Sequence, residues 1–158
     1  QEIQAYEELY QTSIPVFAAG GVYTREDIAA LLNIGASGVQ MATRFIATTE
    51  CDADLAFKQK IVNARKEEIT LVASPAGLPG RAVMTAFMRN ALKGRIAPKH
   101  CIGCMKPCVP ASTPYCISDA LVHSVEGDVE NGLVFAGANA WRVTDIVSVH
   151  DLMAELCA

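Results

Sequence analysis

The 158-residue sequence is 51% hydrophobic and 19% charged, a balance that can bury an apolar core and that excludes a mainly disordered chain. Its 13 basic and 17 acidic side chains give a formal net charge of −4, so no basic field exists to drive sequence-independent nucleic-acid binding. The length suits one core but falls short of a complete (β/α)8 barrel, which needs about 250 residues. No apolar run reaches a membrane span, and Gln1-Glu2-Ile3-Gln4-Ala5-Tyr6 lacks the basic and apolar regions of a signal peptide. The expectation is a soluble, cytoplasmic protein that binds neither nucleic acid nor membrane. The lack of an initial Met suggests a piece of something longer.

In chain order, the first ten or so residues read as the end of a helix. Ile14-Pro15-Val16-Phe17-Ala18-Ala19 is a short apolar run stopped by Gly20-Gly21, the pattern of a buried strand entering a tight turn. Thr24 then caps a helix with Ile28, Leu31 and Leu32 at helical spacing, stopped by Gly35. Residues Ser37 to Met41 form a second strand, and Ala42-Thr43-Arg44-Phe45 its exit loop. Strand, glycine turn, helix and strand make a βαβ unit, whose right-handed crossover predicts parallel strands.

A second helix is expected from Asp52 to about Ala64, and a strand from Ile69 to Ala73. Ser74-Pro75-Ala76-Gly77-Leu78-Pro79-Gly80 is a turn-rich loop, either a lid or a bend. A helix from about Arg81 to Lys93 follows, then a cysteine-rich loop from Pro98 to Pro114 and a helix from about Tyr115 to Val125. Leu133 to Gly137 reads as a strand or extended segment, and Ser148 to Leu156 as a capped amphipathic helix. The expected division is 1–73, a segment carrying the two parallel strands and their phosphate-binding loops, and 74–158, a mainly helical extension with a lid-like loop, a Cys-rich loop and a terminal helix.

Gly20-Gly21 places two unhindered backbone N–H groups at the end of a parallel strand, beside the N-terminus of the next helix. That arrangement predicts a phosphate cradle, which Met41-Ala42-Thr43 at the end of the second strand would close. A plain tight turn is the alternative. Three segments carry a closer likeness: Ile14 to Val22; Gly35-Ala36-Ser37-Gly38-Val39-Gln40-Met41-Ala42-Thr43-Arg44-Phe45; and Ser74 to Ala82. In spacing and order they resemble the nitronate monooxygenase (2-nitropropane dioxygenase) family and the related FMN-dependent enoyl-acyl-carrier-protein reductases. Phe135-Ala136-Gly137-Ala138-Asn139-Ala140 sits where that family has a glycine-containing stretch near its flavin.

The resemblance implies an α/β fold, the C-terminal part of a (β/α)8 TIM barrel holding its last two barrel strands. It implies a flavoprotein oxidoreductase with FMN held by Gly20, Gly21, Gln40, Met41, Ala42 and Thr43, mainly through the phosphate. Ala42 replaces the glycine usual there; its methyl group keeps the N–H but hinders very close approach. The family's catalytic histidine lies in a segment before these strands. His100, His123 and His150 do not match it, so no catalytic base is named and the catalytic residues stay unknown. The implied partners are FMN, a small-molecule substrate, and an N-terminal barrel portion or a second copy of the chain. By itself the chain is expected to show no turnover. Arg44 and Arg81, beside the strand ends, are candidates to meet a flavin phosphate or an anionic substrate.

Four of the six cysteines, Cys101, Cys104, Cys108 and Cys116, follow the spacing C-x2-C-x3-C-x7-C. Four thiolates suit an iron–sulfur cluster or tetrahedral zinc; the alternative is a set of reduced cysteines packing a compact loop. The motif resembles the iron–sulfur motif of some flavin reductases of the Old Yellow Enzyme type, with a shorter last interval. Cys51 and Cys157 stand apart as small apolar residues. The functional readings are therefore a nitronate-oxidising monooxygenase, an FMN-dependent enoyl-acyl-carrier-protein reductase, or a metal-binding or structural module without catalysis.

Overall fold

The computed structural model describes residues 2–106 and 108–157. Helix α1 (Glu2–Tyr10) leads into β1 (Phe17–Ala19), α2 (Arg25–Asn33) and β2 (Gly38–Gln40). β1 and β2 pair in parallel, with Phe17 opposite Gly38 and Ala19 opposite Gln40, as the βαβ reading requires. Helix α2 starts with the expected cap: Thr24 Oγ1 accepts from the Asp27 N–H, and the Asp27 carboxylate accepts from the Thr24 N–H. The strands are less buried than the apolar run predicts, Phe17 being 65% exposed. Only two strands pair here among the described residues, so this sheet has uncovered edges.

Past β2 the chain does not run on as a loop. Thr43–Ile46 forms a short helix, α3, directly at the strand exit. Helix α4 (Leu55–Val62) begins three residues later than the acidic stretch suggests, because Asp54 acts as its cap and accepts from the Ala56 N–H at 2.7 Å.

The largest departure concerns residues 69–93. The expected helix from Arg81 is instead strand β4 (Gly80–Val83) followed by α5 (Ala86–Lys93). β4 pairs antiparallel with β3 (Ile69–Val72) and with β5 (Val134–Phe135). The segment 74–79 is therefore a hairpin bend. The later part of the chain keeps several helices, and its two strands join β3 in a three-stranded antiparallel sheet in the order β3-β4-β5. Strand pairing overrides the helical spacing seen from Arg81 onward, and Thr85, between the two elements, caps α5 by accepting from the Met88 N–H.

This sheet separates two cores, and the alternation of side chains along each strand assigns them. Val83 and Val134 point to one cluster with Phe57, Ile61 and Val143; Ala82 and Leu133 point to the other with Met88, Tyr115 and Ile117. Helix α6 (Ile117–Val125) packs in the second cluster, and α7 (Val149–Cys157) closes the chain. Ser148 Oγ accepts from the Asp151 N–H at 3.0 Å, satisfying a donor at the start of α7. No helix among the described residues is long and apolar enough to cross a membrane.

Candidate functional site

The C-terminal ends of β1 and β2 open onto a cavity of about 250 Å³. Three segments line it: Ala19 to Tyr23, Gln40 to Arg44, and Gly137 to Ala140. All six residues singled out from the sequence, Gly20, Gly21, Gln40, Met41, Ala42 and Thr43, border this one space. Gly20 and Gly21 have φ of 87° and 77°, the left-handed region that only glycine enters without strain. A Cβ added at either would meet no protein atom within 4 Å. These positions adopt a backbone that excludes side chains although the protein leaves space beside them.

The third segment is tied to the other two by direct hydrogen bonds. The Gly137 N–H donates to Thr43 Oγ1 at 2.8 Å, and Asn139 Nδ2 donates to the Gly21 carbonyl at 2.6 Å. Spacing around the glycine turn does not single out Asn139, since 118 positions separate it from Gly21. The only sequence signal was the glycine-containing run from Phe135 to Ala140.

The electrostatics differ from the expected cradle in one respect. The start of α2 carries Glu26 and Asp27, and Asp27 Oδ2 already accepts from the N–H groups of Tyr23 and Thr24 at 2.9 Å. Those bonds, that from Thr24 foremost, hold the Asp27 carboxyl below its ordinary range. The N-terminus of α2 is thus neutralised by its own acidic turn. What faces the cavity is the glycine turn and the start of the 41–44 segment.

Arg44 lines the same cavity, but its guanidinium is committed elsewhere. Nη1 and Nη2 donate to the two carboxylate oxygens of Glu155 at 2.7 and 2.6 Å, and Nη1 also reaches the Tyr23 carbonyl at 3.0 Å. The bond to Glu155 raises the Arg44 pKa further above its ordinary value. The guanidinium carbons of Arg44 and Arg142 lie 4.6 and 4.2 Å from the centre of the Tyr23 ring, a double cation–π contact. Tyr23 Oη donates to the Arg142 carbonyl at 2.7 Å. Arg81 lies in β4 opposite Leu71 and does not line the cavity. His100, His123 and His150 do not line it either.

Cys101, Cys104, Cys108 and Cys116 do come together, lining a separate cavity of about 20 Å³. Among the described residues, however, no three His, Cys, Asp or Glu side chains are arranged to hold a metal ion. The geometry therefore does not support the iron–sulfur or zinc centre expected from the spacing. A shared cavity wall is a looser relation than a ligand shell, in which every sulfur must lie about 2.3 Å from one ion. Cys51 is half-buried and Cys157 exposed.

Comparison with known proteins gives these features a context. The family model described as "nitronate monooxygenase" matches residues 3–158. A protein of Bacillus subtilis named "probable nitronate monooxygenase" is 25% identical over 151 residues, covering 92% of this chain and 40% of that protein. A Mycobacterium tuberculosis protein, named (3aS,4S,5R,7aS)-5-hydroxy-7a-methyl-1-oxo-octahydro-1H-indene-4-carboxyl-CoA dehydrogenase, is 27% identical over 177 residues, covering 92% of this chain and 49% of that one. Among solved structures, FabK from Thermotoga maritima superposes with a TM-score of 0.71 at 29% identity, over 93% of this chain and 44% of its own. The chain spans less than half the length of each of these relatives.

Proposed function

The chain belongs to the nitronate monooxygenase family, and from that membership we propose that it forms the C-terminal part of an FMN-dependent oxidoreductase that oxidises alkyl nitronates with dioxygen. In this reading β1 and β2 are the last two strands of a (β/α)8 barrel, and the uncovered edges of their sheet meet barrel strands from outside these 158 residues. The observation that carries the reading is the cavity at the ends of two parallel strands, walled by paired glycines at positive φ. Ligands of α/β barrels sit at this end of the strands, and the loops after the seventh and eighth strands commonly take a phosphate.

The residues present fit an FMN phosphate. Gly20 and Gly21 leave their side of the cavity open where any Cβ would project, and Met41, Ala42 and Thr43 close it from the neighbouring strand end. Ala42 retains its backbone donor, and its methyl sets how closely an anion approaches. Gln40 borders the same space at the end of β2. Asn139 holds the Gly21 carbonyl, fixing the turn in the conformation that shapes the cradle. When bound, the flavin supplies the redox chemistry, and the protein's part is to position it and exclude water. Arg44 supports the cradle from behind, through Glu155 and Tyr23, and is not free to act as an anion ligand.

The test is to purify the complete protein, measure bound FMN by its visible absorbance, and follow oxygen uptake with an alkyl nitronate. Nitronate-dependent oxygen consumption by flavin-loaded protein is the expected result. Nicotinamide-dependent reduction of an enoyl thioester without it would move the protein to the enoyl-acyl-carrier-protein reductases. Failure to bind FMN at all would leave a structural module and overturn the reading.

A further inference from the structure

The cysteine segment plays no part in the cradle. Residues 98–114 contain no helix or strand among those described, and Arg95 pins the segment by donating to the Thr113 and Pro110 carbonyls at 3.0 and 2.7 Å. Gly103, with φ of 67°, bends the chain between Cys101 and Cys104. Both of these are exposed, whereas Cys108 and Cys116 are half-buried, and all four are free thiols. A cysteine that serves as a small apolar filler is buried, so packing does not account for the exposed pair. Among the described residues no group of ligands supports a metal centre there either.

One contact distinguishes Cys104. Ser118 Oγ donates to its sulfur at 3.2 Å, and Ser118 lies in the first turn of α6, directly after Cys116 at the N-cap position. The sulfur of Cys104 is therefore held against the first turn of the helix that follows Cys116, and both residues line the same cavity of about 20 Å³.

We propose that this loop is a thiol oxidation site, at which a hydroperoxide joins Cys104 to Cys116 as a disulfide. The exposed Cys104 sulfur, as thiolate, attacks one peroxide oxygen. The O–O bond breaks, an S–O bond forms, and the departing oxygen takes up the proton released by the thiol, leaving as water when the oxidant is hydrogen peroxide. The Cys116 thiolate then attacks the sulfenic sulfur of Cys104. The S–S bond forms, the S–O bond breaks, and the hydroxyl leaves as a second water with the Cys116 proton. Two thiols are oxidised by two electrons and one O–O bond is reduced. The exposed sulfur meets the oxidant while the half-buried one resolves it, and the bridge ties the irregular loop to α6.

The experiment uses the complete protein, purified and reduced without oxygen, treated with one equivalent of hydrogen peroxide, alkylated and mapped by peptide mass spectrometry. The expected product is a Cys104–Cys116 linked peptide that disappears on treatment with dithiothreitol. Cys116→Ser should leave Cys104 as a sulfenic acid, which a second equivalent of hydrogen peroxide carries to sulfinic acid. Ser118→Ala should slow bridge formation several-fold while the total thiol count after denaturation stays unchanged. Mapping in the unsubstituted protein needs no variant to fold. A bridge that omits either Cys104 or Cys116, no intramolecular bridge, or stoichiometric zinc or iron that protects the four thiols would each overturn the proposal.

Discussion

Arg44 and Glu155, 111 residues apart, meet in a two-bond ion pair that fastens the terminal helix α7 to the strand exit beside the cavity. The Arg44 side chain is 12% exposed and that of Glu155 56%. The pair is thus wet on the carboxylate side and screened there, which limits its contribution to about 1 kcal/mol.

Replacing Glu155 with Gln should cost that amount at neutral pH, and the cost should depend on acidity. The bonds from Arg44 hold the Glu155 carboxyl below the ordinary value of 4.5. A carboxyl whose native pKa is depressed stabilises the fold fully above its unfolded value and loses that effect as pH falls through the native one. Urea unfolding of the two proteins should therefore differ at pH 7 and converge in the acid range below 4.5. A difference that persists unchanged at low pH would show that the carboxylate charge is not what matters.

Gly21→Val should abolish flavin retention in the complete protein. Its φ of 77° costs an L-residue about 1–2 kcal/mol, and a β-branched side chain would project into the space left open beside the turn. The flavin-to-protein absorbance ratio measures this, with circular dichroism as the check on folding. Unchanged flavin content would remove the cradle assignment.

Asn139→Ala should weaken FMN binding about fivefold, because the single hydrogen bond that anchors the Gly21 carbonyl is worth about 1 kcal/mol. Asn139 is half-buried but lies outside both core clusters, so the melting temperature should move little. A fluorescence titration of apoprotein with FMN separates the two effects.

Thr85→Val should destabilise the fold by about 2 kcal/mol while keeping the side-chain shape. Thr85 is fully buried. Its hydroxyl donates to the Gly132 carbonyl at 2.9 Å and accepts from the Met88 N–H at 3.1 Å, so valine leaves two buried groups unpaired. Denaturant unfolding measures the loss, and a change within experimental error would contradict the cap.

Local chemistry made part of this protein legible in its sequence. The turn at Gly20-Gly21 announces itself because other residues enter that backbone only with strain, and the Thr24 and Ser148 caps because their side chains bond within three residues. The parallel pairing of β1 with β2 follows from the right-handed crossover between them. Arg81 to Val83 had no such local marker. Their four-residue strand is decided by ladders to residues 69–72 on one side and 134–135 on the other, and only the folded chain brings these together. The same holds for the bond from Asn139 to the Gly21 carbonyl and for the pairing of Arg44 with Glu155, which withdraws an arginine placed at the strand end from anion binding. Steric limits and caps act over a few residues and leave a mark in the sequence. The partners of β4 and of Arg44 are chosen outside that local range, across 111 positions for the ion pair, where adjacency in sequence carries no information about adjacency in space.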